Sequence, residues 1–427
     1  MIYFWFLIYN LLFYPVIFIL ASIGSIFNRK MRNGLIGRFH TINILKNTIK
    51  NWDNKKSIYW FHAASHGEFE QVRPVLRGLK EIDKSCYVVA SFFSPSGYIN
   101  VDDSNIDCKI YLPFDFIWSI RRALKIVKPK KIIFASYDIW PNLVWLANRR
   151  KIHTNIFASR FYQNSSKILP VIKNFYRAIY KSFSTIYTIT REDEYQLNKI
   201  LPSKHKSIVR VLGNPRYDRV KEKADKFTKE RTITVLMRDK RLIVGSVWPE
   251  DEKKIINSIF QLMEEDEELC ILWVPHEPSE KYIHSSMKKF ESHGYNPMII
   301  RSKNINKIRN GRLVILGVVG TLSKYYWQGQ LAYIGGGFSS GIHNVMEPAI
   351  ARLPVIFGPK YRKSHEAMEL VKTGGGFSIN NGIEFYDIIK ILLNDKNRFL
   401  DASLSATQVI HDNIGSATRV VRNIVRD

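Results

Sequence analysis

A chain of 427 residues, 45% of them apolar, is long enough for two domains with cores of their own, and that composition excludes a disordered or fibrous protein. Its 64 Lys and Arg stand against 38 Asp and Glu, and the formal charge of +26 points either to an anionic partner or to compositional drift in a Lys-, Ile- and Asn-rich chain. Three widely spaced cysteines, Cys86, Cys108 and Cys270, exclude a disulfide framework and suit a reducing compartment.

The N-terminal stretch MIYFWFLIYNLLFYPVIFILASIGSIF carries no charged side chain, and the next eleven residues, NRKMRNGLIGR, carry four cationic ones. That order of charge is the reverse of a signal peptide's. Residues 1–28 are expected to anchor the chain to a membrane, spanning it or lying in its interface, with the basic flank on the cytoplasmic side. A basic linker or helix should fill 29–56. From residue 57 short apolar runs alternate with segments of helical spacing: SIYWFHA, CYVVASF, KIYLPF, KIIFAS, TNIFAS, TIYTIT and IVRVLG. After a seam near 218–240 the pattern restarts with RLIVGS, CILWVP, RLVILG, LAYIGG, LPVIFG and GFSI, and from about Asn394 only helices follow. Strands separated by helices imply α/β domains with doubly wound parallel sheets, here over 57–225 and 226–427. Ligands of such sheets sit beyond the carboxyl ends of the strands, so the loops there are the places to search.

The first such loop, HAASHGEFEQ (62–71), is either a tight strand-to-helix turn that presents a carboxylate or a helix start decorated with acids that suit its dipole. ASYDIWPNLVW places Asp138 just past a strand, where it also reads as an N-cap with Pro141 in the first helical turn. Ser159 and Arg160 follow another strand, and GNPRYD offers Arg216. WVPHEPSE ends a strand with Pro275 and His276, a histidine for a phosphate or simply for the surface. The richest loop is GGGFSSGIHNVMEPAIARLPVIFGP (335–359). Gly335 to Gly337 let backbone approach a ligand, Gly341 permits positive φ, Asn344 suits a helix cap, and Glu347 could reach sugar hydroxyls. Together these features point to a nucleotide site. No P-loop is present, the Asp102-Asp103 pair lies in a polar turn, and no His/Cys cluster has metal spacing. The basic residues are dispersed rather than interleaved with aromatics, which argues against nucleic acid.

In their order, WFHAASHGEFEQVRPVL, DIWPN, ASR, GNPRYD, GSVWPEDE, VPHEP and the glycine-rich loop resemble the Kdo transferases of lipopolysaccharide synthesis (Kdo, 3-deoxy-D-manno-oct-2-ulosonic acid). The resemblance covers nearly the whole chain. It implies a GT-B fold of two facing Rossmann-like domains with the active site in their cleft. It also implies inverting transfer of Kdo from CMP-Kdo to a phosphorylated lipid A precursor at the inner membrane, with no metal or other cofactor. The family's general base falls on Glu68. Its acid before Trp-Pro-Asn falls on Asp138, where Glu is usual, and its basic residue after Gly-Asn on Arg216, where Lys is frequent. CMP contacts map to Pro275 and His276, to Val319, Gly320 and Thr321, and to Asn344, Val345, Met346 and Glu347. His276 stands where Arg is frequent and Thr321 where an acid is common, departures that bear on nucleotide affinity more than on the reaction.

The chemistry agrees with the residues. An acceptor hydroxyl needs a base as it attacks, and a departing CMP anion needs nearby positive charge. Two other readings stay open: a GT-B transferase using a UDP-sugar on a lipid acceptor, and a silent basic membrane adaptor. Thermal protection by UDP-sugars but not CMP would mark the former, and failure to bind any cytidine nucleotide the latter.

Overall fold

The computed structural model describes residues 2–162, 167, 169–303, 308 and 311–427. Most of the apolar runs form strands buried on both faces, as parallel strands covered by helices are, and the edge strands are more exposed. Seven strands, β1 (Ile58–Ala63), β2 (Tyr87–Phe92), β3 (Cys108–Tyr111), β4 (Lys131–Ala135), β5 (His153–Ser159), β6 (Thr185–Thr188) and β7 (Ile208–Val211), pair in parallel in the order β3-β2-β1-β4-β5-β6-β7. A second parallel sheet has the order β10-β11-β9-β8-β12-β13-β14. Its strands are β8 (Arg241–Val247), β9 (Cys270–Pro275), β10 (Met298–Ile300), β11 (Leu313–Leu316), β12 (Leu331–Ile334), β13 (Val355–Phe357) and β14 (Gly376–Ser378). Both sheets reverse their direction of winding once, between β1 and β4 in the first and between β8 and β12 in the second.

The chain divides into two compact units. The first runs to Arg219 and takes in Gly415–Asp427; the second is Val220–Ile414. Position in the sequence places the last helix, Ser416–Arg426, in the 226–427 half, yet it packs on the first unit. Its stripe of Val420, Val421 and Ile424 joins Val72, Val75 and Leu79 of the helix His66–Ile82 in one apolar cluster. Asp218 accepts the backbone N–H groups of Gly415 (2.7 Å) and Ala417 (2.9 Å), and Arg210 pairs with Asp427 at 2.9 Å.

The N-terminal helix, Ile2–Phe27, is 26 residues long, with a mean hydropathy of 2.2 over an 18-residue window, and is long and apolar enough to cross a membrane. One face nevertheless belongs to the first unit. Trp5, Tyr9 and Tyr14 are buried beside Trp145 and Phe175, while Leu11, Leu20 and Phe27 on other faces are exposed. The contact is polar as well as apolar. The Tyr9 hydroxyl donates to Asp115 Oδ2 (2.8 Å), the Asp115 N–H donates to the Tyr14 hydroxyl (2.6 Å), and Asn10 bonds Asn142. Asp115 also accepts the N–H groups of Asn142 (3.0 Å) and Leu143 (3.1 Å). The stretch expected as linker or helix is a helix, Arg29–Ile49, capped by Asn28 Oδ1, which accepts from Lys30 and Met31.

Burial pushes the Asp115 carboxyl up to about 7, against the pull of its donors. An unfolded Asp ionises near pH ~3.9, so between ~4 and about 7 the native state holds a proton that the unfolded chain has released. This group's contribution to stability therefore falls as pH rises through that window. Asp115→Ala, which strands the Tyr9 hydroxyl and two amides, should cost ~3 kcal/mol in urea unfolding. Asp115→Asn should flatten the pH dependence between those limits.

Candidate active site

Of the residues singled out by sequence, Glu68 follows β1, Asp138 follows β4 and Asn344 to Glu347 follow β12, strands that flank the reversals of winding where open α/β sheets hold their ligands. In the first unit those strands are β1 and β4. His62, near the end of β1, is fully buried. Its Nδ1 lies 2.9 Å from Ser91 Oγ on β2, and its Nε2 lies 3.0 Å from Asp138 Oδ2 just past β4. A ring whose Nδ1 accepts the Ser91 hydroxyl and whose Nε2–H donates to Asp138 uses both nitrogens. Trp60 Nε1 holds Ser91 Oγ in turn at 2.8 Å. Asp138 is not the helix cap its position suggests. The helix Pro141–Arg149 has Trp140 at its cap, and the Asp138 carboxylate is held instead by His62 and by the Trp140 indole N–H at 3.3 Å. Ser136, the residue after β4, sits at φ 64°, a left-handed conformation that is uncommon for a side-chain-bearing residue and turns the chain sharply towards Asp138.

The two acids of HGEFE have different surroundings. Glu70 is taken up by arginines, with Arg73 Nε at 2.8 Å and Arg219 Nε at 2.9 Å. Glu68, in the first turn of the helix, accepts from the Ser65 hydroxyl at 3.3 Å. Burial, and then the charge of Asp138, hold its pKa above the ordinary carboxylate value, with His62 and Ser65 pulling the other way. Arg216 donates to the carbonyl of Gly67, Glu68's neighbour, at 3.3 Å. The Tyr137 phenol feels the charges of Glu68, Arg216 and Asp138 together. The structure thus gathers Glu68, Asp138 and Arg216 at one end of the first sheet. The result is a carboxyl with a raised pKa beside a second carboxylate and a guanidinium, a set suited to taking a proton and steadying an anion.

In the second unit the flanking strands are β8 and β12. Asp251, fully buried at the start of the helix Pro249–Glu265, accepts from Trp248 N–H (3.0 Å), Gly336 N–H (2.7 Å) and the Tyr333 hydroxyl (2.9 Å). It thereby ties the end of β8 to the glycine-rich loop after β12. A Cβ on Gly337 would lie 2.5 Å from the backbone nitrogen of Gly358, so only glycine lets the GGG and FGP loops touch. His276, after Pro275 at the end of β9, stacks on Trp248 and on His343, each at 4.3 Å between ring centroids. Trp248 Nε1 donates to His343 Nε2 at 2.9 Å. An indole N–H can only donate, so His343 Nε2 carries a lone pair and the ring is neutral. Burial, reinforced by His276, pushes the His343 pKa down to about 4.

Val319, Gly320 and Thr321 follow β11, the neighbour of β9. Val319 is exposed, and the Thr321 hydroxyl is buried with no partner among the described residues. The helix after the glycine-rich loop is a single turn, Met346–Ile350, capped by Val345 rather than by Asn344. Asn344 Oδ1 accepts the Met346 N–H at 3.1 Å, a local turn of the kind Asn favours. So short a helix brings little dipole, and any anion here would be held by individual N–H groups and side chains. Val345 and Met346 are buried, and Glu347 lies 3.5 Å from Lys223.

The model of the 3-deoxy-D-manno-octulosonic-acid transferase (kdotransferase) family matches residues 37–219, the stretch that carries β1 to β7, Glu68, Asp138 and Arg216. Over those residues the chain is similar to a kdotransferase domain. Over a longer stretch, the chain is 26% identical over 347 residues to the 3-deoxy-D-manno-octulosonic acid transferase of Aquifex aeolicus, covering 80% of this chain and 88% of that protein. It is 27% identical to the one from Chlamydia pneumoniae over 361 residues, 79% of this chain and 78% of that protein. Among solved structures, a UDP-GlcNAc 2-epimerase from Neisseria meningitidis, 14% identical, matches 87% of this chain and all of its own at a TM-score of 0.59. That last likeness concerns the fold alone, the GT-B pair of Rossmann-like units.

Within residues 37–219 the residues that motif reading passed over are His62, Ser91 and Tyr137. A histidine inside an apolar strand was the available signal for His62. Nothing local marks Ser91, whose role depends on the pairing of β1 with β2. In the second unit Trp248, Asp251 and His343 were quoted within motifs, but only the fold shows their bonds. If Asp138's charge raises the Glu68 pKa, then Asp138→Asn should lower it. Carbon-detected NMR titration of the Glu68 carboxyl in the two proteins measures that shift directly.

Proposed function

We propose that this protein transfers Kdo from CMP-Kdo to a hydroxyl of a phosphorylated lipid A precursor, with inversion at the anomeric carbon. The observation that carries the reading is the gathering of Glu68, Asp138 and Arg216 at the β1/β4 reversal of the stretch similar to a kdotransferase domain. Glu68 is the general base. It takes the acceptor hydroxyl's proton as that oxygen forms its bond to the anomeric carbon, and the bond to the CMP phosphate breaks with its electron pair leaving on the phosphate. Asp138, oriented by His62, holds the reacting centre's positive character, and Arg216 offsets the negative charge that develops. The donor's nucleotide is assigned to Pro275, His276, Val319 to Thr321 and Asn344 to Glu347, with the buried Thr321 hydroxyl available to the ligand. His276 stacks over Trp248 and His343, whose nearly parallel rings are joined edge to edge by their hydrogen bond.

The N-terminal helix and the basic residues after it suit a lipid substrate, and they support a site of action on the cytoplasmic face of the inner membrane. A raised Glu68 pKa sets the sign of the pH dependence. The base is active only when ionised, so the acid limb of kcat/KM should lie above the ordinary Glu value of ~4.3.

The test is to incubate the full chain in detergent with CMP-Kdo and a tetraacylated, diphosphorylated glucosamine disaccharide and to follow product by mass spectrometry. Glu68→Gln should lower kcat by ~10²–10⁴-fold while leaving the KM for CMP-Kdo within a factor of about two. Full activity in Glu68→Gln would overturn the assignment, and no product from the unaltered chain would overturn the reaction.

A further inference from the structure

A pocket lies beside the candidate active site, wholly within the first unit, and no part of the chemistry above uses it. It encloses about 240 Å³ between the N-terminal helix, the helix Arg29–Ile49 and the turn before Pro95. Its walls are hydrocarbon and aromatic: Phe18, Ala21, Met31, Phe93, Phe114 and Trp140. Two cations interrupt them. Lys30 is exposed at the start of the second helix. Arg38 lies with its guanidinium 4.4 Å over the Phe93 ring and donates to the carbonyls of Gly34 and Phe93, each at 2.6 Å.

Three features of the pocket say what fills it. It is continuous with apolar surface, because Ile17 lines it and is itself half exposed on the N-terminal helix among Leu11, Leu20 and Ile23. Its charges are all of one sign, with Arg29 and Arg32 flanking Lys30 in the sequence, so the head group nearest its mouth should be anionic. Its far wall is Trp140, which stacks on Phe93 at 4.9 Å and whose indole N–H donates to Asp138. A molecule seated there reaches from the membrane-facing helix to within one indole ring of the candidate catalytic carboxylates.

We infer that this pocket holds a fatty acyl chain of the acceptor lipid, with Lys30 and Arg38 facing one of its phosphates. The inference rests on the transfer reaction proposed above and adds to it a specificity element: the chain, not only the sugar, places the acceptor hydroxyl before Glu68.

The full chain in detergent micelles is irradiated with a diphosphorylated glucosamine disaccharide lipid carrying a photoactivatable diazirine on one acyl chain, and labelled peptides are mapped by mass spectrometry. Label is expected on the segments around Ala21, Met31 and Phe114. A tenfold excess of unlabelled disaccharide lipid should remove it, and the same excess of phosphatidylglycerol should not. Ala21→Trp, which fills the space, should lose at least four-fifths of the label at an unchanged melting temperature, and Ala21→Leu carries the test if the larger residue unfolds the protein. Label elsewhere only, label unaffected by these substitutions, or equal competition by phosphatidylglycerol would overturn the proposal. Kdo transfer is measured on the same samples. Transfer without label in the pocket leaves the reaction standing and removes the pocket's role. Label in the pocket without transfer removes the reaction instead and leaves only a lipid site.

Discussion

Burying an imidazole in the middle of a parallel sheet commits both of its nitrogens, because an unpaired polar atom there costs ~1–3 kcal/mol. His62 has Ser91 on one side and Asp138 on the other. That pair of bonds spans β2, β1 and β4 and fixes where the chain must go after β4. From it follow the left-handed turn at Ser136, the direction of Asp138 and the setting of Glu68, whose carboxyl is pushed up by burial and by Asp138. The candidate base of the first unit is thus tuned by a neighbour that is itself held by the core.

The second unit reaches the same end with a buried acid instead of a histidine. Asp251 gathers the start of one helix, the end of β8, a tyrosine on β12 and the glycine-rich loop into one carboxylate. Both devices sit at the place where the sheet changes its direction of winding, since only there do two adjacent loops diverge and leave room between them. A parallel sheet supplies the room, and a single satisfied polar group on each sheet decides how the room is shaped.

Much of this was legible in the residues. Of the fourteen strands among the described residues, the apolar runs announce all but β10, which has only three residues at the sheet edge and whose Met298 is exposed. Glu68, Asp138 and Arg216 could be named from motifs because each follows a strand. Their neighbourhood could not, since it depends on β1 lying beside β4, a pairing of segments some seventy residues apart. Asp138 and Asn344 show the opposite limit. Both have the local pattern of a helix cap, and both helices instead begin one or two residues later, because a long-range partner or a tight turn claims the side chain first. The last helix was placed by its position in the chain, which carries no information about the surface on which its valines land.

By length and composition alone the N-terminal helix reads as a detachable tether. Here Trp5, Tyr9 and Tyr14 are part of the interior, and Asp115 would face a void without them. Trimming the tether would therefore expose a aromatic-lined trough and an isolated buried acid, and the shortened protein should be stickier than the whole one.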